Sequence, residues 1–186
     1  MRLFEYIDQG GAIMYVLLLA NIIGFAILFW KIFTILDAKK RIADLVMEIK
    51  GRFYDMGDLK DNSMGVQLLK DEVESKVHTL EFGLNTIKII ASVAPLLGLL
   101  GTVLGILSAF RVISQEGLSN PSLFAGGISM ALITTVGGLI VAIPHFVGYN
   151  YLVGVLDDLE IKLQEEYEYM IDFRRQLRED VFKHIN

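Results

Sequence analysis

The sequence predicts an all-α integral membrane protein: three transmembrane helices with long cytoplasmic helical extensions, built to associate with further copies of itself. Three observations predict it. Gly10–Trp30, Ile89–Phe110 and Leu118–Leu156 contain no Asp, Glu, Lys or Arg, and about 20 mostly apolar residues suffice to cross a bilayer as a helix. Beyond these stretches, apolar residues recur in steps of three and four between charges, as on one face of a helix. Two of the three stretches also carry regular stripes of small residues, which let helices approach closely in lipid.

Taken in order, residues 1–11 form an N-terminal interfacial segment, with Leu3, Phe4 and Ile7 on one helical face before Gly10-Gly11. The alternative is a frayed terminus. Span one covers residues 12–30. A cleaved signal is not expected, because Glu5 and Asp8 precede a run that is long for a signal core and Lys31-Ile32-Phe33 follow it. Residues 31–88 read as a cytoplasmic helical domain. Ile35, Ile42, Leu45, Val46 and Ile49 continue span one, a turn falls within "YDMGDLKDNSMG", and Val66, Leu69, Val73, Val77, Leu80, Leu84 and Ile87 lead into span two with only Gly83 interrupting. Span two covers 89–113, an outward loop 114–122 contains the turn Asn120-Pro121-Ser122, and span three covers 123–150. Residues 151–186 continue as a helix through Leu152, Leu156, Leu159, Leu163, Met170, Phe173, Leu177 and Val181.

Charge orients this layout. One Lys or Arg precedes span one, ten lie between spans one and two, one (Arg111) lies at the outer end of span two, and five follow span three. The positive-inside rule puts the 31–88 segment and the C-terminal tail in the cytoplasm and the N-terminus outside. The net charge of −5 argues against nucleic acid as a partner, and without cysteine there is no disulfide or thiolate metal site.

In span two, Ala91, Ala94, Gly98, Gly101, Gly105 and Ser108 are spaced three and four apart. In span three, Gly127, Ala131, Thr134, Gly138 and Ala142 form a matching stripe. These residues are expected to pack helices within the chain or between copies. Thr102 lies eleven residues before Ile113 and Thr135 thirteen after Ser122, so both sit roughly 16–20 Å from the outer surface. No carboxylate lies between Glu81 and Glu116 or between Glu116 and Asp157. Threonine does not titrate at physiological pH, so a proton bound at mid-membrane needs an acid from another chain. His145, near the cytoplasmic surface, suits an interfacial or packing role. The alternative for it is a proton relay.

The stretches "APLLGLLGTVLGILSAF" and "GISMALITTVGGLIVAIPHFVGYN", together with the three-span layout, resemble the ExbB/TolQ/MotA family of proton-driven stator subunits, the ExbB/TolQ branch most closely. The resemblance implies a homopentamer in the bacterial inner membrane, with spans two and three lining a pore. Single-span ExbD/TolR-like partners would occupy that pore, their membrane Asp facing a ring of threonines, and a TonB/TolA-like protein would receive the work. Thr102 and Thr135 match the family's pore threonines, and Thr134 adds a neighbouring hydroxyl. The resemblance implies no cofactor and no enzyme activity. Where relatives often read "GIAEAL", this chain reads "GISMAL", with Met130 replacing the glutamate. The rival readings are a non-conducting scaffold and a stand-alone ion channel. An enzyme fits least, since "GLLGTVLG" lacks the lysine and the strand-to-helix setting of a phosphate loop.

Overall fold

The computed structural model describes the backbone of residues 3–55, 71, 75 and 78–185, and the side chains within 5–40, at 71 and 75, within 78–165, and at 168, 169, 172 and 176. The positions Val66, Leu69, Val73 and Val77, the turn from Met56 onward, and the side chains of Ile42 to Ile49, Met170, Phe173, Leu177 and Val181 lie outside the described residues.

The described elements are α1 (Leu3–Gln9), α2 (Gly11–Asp55), α3 (Leu84–Glu116) and α4 (Pro121–Ile185), and residues 71, 75 and 78–81 are helical as well. Three stretches are long and apolar enough to cross a membrane: Gly11–Lys40, His78–Glu116 and Pro121–Glu165. A helix satisfies its own backbone hydrogen bonds, which a chain in hydrocarbon requires. The chain divides into two compact units, one of Met1–Trp30 with Gly83–Tyr151 and one of Lys31–Phe82 with Leu152–Asn186.

The helix boundaries follow local chemistry. α1 closes with the Gly10 amide donating to the Tyr6 carbonyl (3.0 Å), and the Tyr15 hydroxyl donates to Asp8 from α2 (2.6 Å). At the far end of α3, the Gly117 amide donates to Ile113 O (2.8 Å) with Gly117 at φ 74°, a helix stop that glycine makes at no steric cost. Asn120 caps the start of α4, its side-chain oxygen accepting from the Ser122 amide (3.2 Å). Pro121 fills the first helical position, where no amide hydrogen is needed.

The register read from sequence continues from the cytoplasmic segment into span two with Gly83 as its one interruption. The structure interrupts it at Gly83, which adopts φ 91° and ψ −20° ahead of α3. A side chain in this left-handed region costs about 1–2 kcal/mol. Gly83→Ala is therefore expected to lower the midpoint of thermal unfolding in detergent by roughly 2–8 °C; an unchanged midpoint would mean that the turn relaxes.

In the first unit, α2 and α4 run parallel. Met14 fills the space beside Gly137, His145 lies over Gly24, and Leu28 lies over Gly148, so both residue numbers rise together. α3 runs antiparallel to α4, with Gly105 beside Gly127 and Ala131, Gly98 beside Thr134 and Thr135, and Ala94 beside Gly138. Ile13, Leu17, Ala94, Val141 and Ala142 form the shared core, with Met14, Ile90 and Leu97 against it. Leu96, Leu99, Val103 and Phe110 of α3 and Leu132, Val136, Ile140 and Ile143 of α4 stay exposed, an apolar surface suited to lipid or further helices.

In the second unit, Ile35, Leu152, Leu156, Leu159 and Leu163 are buried, the last four at steps of four, three and four. Lys31 is also buried, and its ammonium donates to the Leu80 carbonyl (3.1 Å).

Candidate functional site

The site is built on the α3–α4 seam. Ala91, Ala94, Gly98, Gly101, Gly105 and Ala109 are the buried small residues of α3. Ser108, which continues the stripe in sequence, is exposed, and Ala109 takes the next buried place, because Gly127 of α4 seats against the Ala109 backbone. A Cβ on Gly98 would stand 2.9 Å from Thr134 O, and one on Gly138 would stand 2.6 Å from Ala94 O. These are backbone-to-backbone contacts that only glycine permits. Ala131, the other small residue on the α4 side, is also buried.

Backbones this close decide where each hydroxyl goes. Thr134, grouped above with the pore-lining hydroxyls, is fully buried. It occupies the notch left by Gly101, and its hydroxyl faces the Met130 and Ala131 carbonyls of its own helix, both at 3.0 Å. Thr102 and Thr135 instead stand half-buried at the margin of the seam. Their oxygens are 3.5 Å apart. Thr102 donates to Leu99 O at 2.6 Å, and Thr135 is 3.4 Å from Gly98 O. A hydroxyl has one proton, so Thr102 spends its own on the short bond to Leu99 O and turns lone pairs toward Thr135. The contacts of Thr135 exceed the 2.5–3.0 Å of a good O–H···O bond. Its proton is thus weakly committed and available to a closer acceptor.

Met130, at the position of the family's frequent glutamate, has its methyl end beside Gly11, at the start of α2. His145 is fully buried. Its Nδ1 is 2.7 Å from the Val141 carbonyl, and its ring meets Phe25 at a centroid distance of 4.8 Å. Sequence reasoning missed Asn21, whose side-chain oxygen is buried. An asparagine inside a charge-free stretch, one turn before a glycine, was the available signal. It missed Lys31 as well, which at the end of a span reads as an ordinary flanking charge.

Three helices long and apolar enough to cross a membrane, two of them packed through a seam of small residues, fit a multi-pass membrane protein. The chain belongs to the MotA/TolQ/ExbB proton channel family, whose profile matches residues 38–165, more than half of it. Among its relatives, the biopolymer transport protein exbB1 of Vibrio cholerae is 33% identical over 113 residues, 60% of this chain and 47% of that protein. The biopolymer transport protein ExbB of Aquifex aeolicus is 52% identical over 64 residues, covering 34% of this chain and 43% of that one. A putative ExbB homolog of Methanothermobacter thermautotrophicus is 47% identical over 76 residues, 41% of this chain and 26% of the relative. The matches span about half or less of the length of these relatives.

Proposed function

We propose that this chain is the large subunit of a proton-motive-force-driven motor of the inner membrane, with its N-terminus outside and residues 31–88 and the tail in the cytoplasm. Five copies would surround a pore lined by α3 and α4. ExbD/TolR-like partners would sit in that pore and transmit work to a TonB or Tol–Pal type system. The observation that carries this reading is the loosely held pair Thr102–Thr135, 3.5 Å apart, in spans with no carboxylate between Glu81 and Glu116 or between Glu116 and Asp157.

A partner's aspartate would be neutral against apolar walls and ionised where it meets the pair, because hydrogen bonds to a carboxylate favour its charged form. Thr135 has the proton to donate. Thr102, with its proton on Leu99 O, orients Thr135 and closes the site on the α3 side. Each elementary charge moved through 100 mV releases about 2.3 kcal/mol, enough to step a partner between equivalent subunits of a ring. With Met130 in place of a glutamate, the partner's acid acts alone at this depth.

Proton flux into liposomes, measured with and without the single-span partner, tests the reading. Flux is expected only with both chains and only while the partner keeps its membrane Asp. Flux from this chain alone would make it a channel, and silence throughout would make it a scaffold. Within this reading Thr134 is a packing residue. Thr134→Val, which keeps the branched shape that fills the Gly101 notch, is expected to leave flux unchanged. A collapse of flux in that variant with the complex still assembled would return Thr134 to the pathway.

A further inference from the structure

Among the described residues of the first unit, two buried side-chain polar atoms form no hydrogen bond with the chain, Nε2 of His145 and the oxygen of Asn21. Their chemistry can be worked out from their neighbours. Nδ1 of His145 is 2.7 Å from the Val141 carbonyl. A carbonyl only accepts, so Nδ1 carries the hydrogen, and in that tautomer Nε2 presents a lone pair. The Asn21 oxygen is also an acceptor. Two acceptors cannot satisfy one another, and each buried acceptor left unmet costs about 1–3 kcal/mol.

The two side chains bear on the same stretch of α2. Nε2 lies directly over Gly24, where a Cβ would collide with it, and the ring also packs on Phe25. Asn21 precedes these residues by three and four positions, so it occupies the same face of α2 one turn nearer its N-terminus. Residues so related have Cβ positions about 5–6 Å apart. α2 and α4 run parallel, and the His145 side chain leans toward the N-terminus of α4, as its bond back to Val141 records. Nε2 is therefore displaced toward the turn that carries Asn21.

We propose that Asn21 and His145 form a binding site for one internal water molecule, held between α2 and α4 within a single subunit. Water fits the donor count, giving one hydrogen to Nε2 and the other to the Asn21 oxygen. Internal waters occupy such polar gaps where two or more partners converge. The site is separate from the Thr102–Thr135 pair, since His145 lies ten residues further along α4 than Thr135, roughly 15 Å. Within the charge-free stretches Gly10–Trp30, Ile89–Phe110 and Leu118–Leu156 no carboxylate, lysine or arginine competes for either atom.

Water-edited solid-state NMR of the full chain in lipid bilayers, with labelled histidine and asparagine, tests this. The expected result is a neutral His145 protonated at Nδ1, with polarisation arriving from water at both the His145 ring and the Asn21 amide. In Asn21→Leu the water signal at His145 is expected to be lost. A doubly protonated ring bonded straight to Asn21, a ring with no water contact, or an undiminished signal in Asn21→Leu would each overturn the proposal. Should Asn21→Leu fail to fold, a density map of the wild type at about 2 Å decides: a peak bridging the two atoms supports the site, and bare contact with apolar side chains refutes it.

Discussion

Replacing Thr135 with valine is expected to cut partner-dependent proton flux by roughly ten- to a hundredfold and leave the oligomer assembled. The magnitude follows from the bond being removed. A hydrogen bond to a charged group contributes about 1.5–3 kcal/mol, and each 1.4 kcal/mol is about a factor of ten in rate. Assembly should survive because little structure depends on this hydroxyl. Its contacts, 3.4 Å to Gly98 O and 3.5 Å to Thr102, are too long to hold the seam together, and valine keeps the branched shape. A pH-sensitive dye in partner-containing liposomes gives the flux, and size analysis in detergent gives the assembly. Wild-type flux in this variant would remove Thr135 from the proton pathway and, with it, the observation on which the motor reading stands.

Gly105→Ala is expected to have one of the largest structural effects of any single-methyl change. The new Cβ would stand 2.6 Å from Gly127 O, 2.7 Å from Ala131 N and 2.9 Å from Ala131 Cα. All three are backbone atoms of α4, so no side chain can turn aside, and α3 and α4 must separate along the seam. Overpacking a core with a methyl group commonly costs about 1–3 kcal/mol, and the rigid neighbours here put the cost at or above the upper end. Gly126→Ala is the matched control. A Cβ at Gly126 meets nothing within 4 Å, although this residue is the immediate neighbour of Gly127. The expected outcome is loss of folded protein for Gly105→Ala and wild-type yield and melting for Gly126→Ala, read by size exclusion and thermal unfolding in detergent. Equal behaviour of the two would mean that the seam is not close-packed.

The fold was legible to different degrees along the chain. Charge-free length is enough to mark three span-capable helices, because a run of 20 apolar residues has few other stable states. The break at Gly83 was less legible. One glycine inside a continuing pattern of threes and fours reads as tolerated, and only its φ of 91° shows that the helix stops there. Ser108 and Ala109 are one residue apart, and both fit a spacing of three or four from Gly105. The seating of Gly127 on Ala109 chose between them.

Sequence by itself determined the class: apolar helices long enough for a membrane, hydroxyls at matching depth on two of them, and no acid beside them. Only the tertiary structure separated Thr134 from Thr135, and only it seated His145 against Gly24 and Phe25. The reason is angular. Consecutive residues on a helix point about 100° apart, so a pair of threonines always offers one hydroxyl to each of two directions. The glycines of a neighbouring helix, 33 residues away in the chain for Gly101 and Thr134, decide which of the two is sealed in and which is left at the margin with a proton to give.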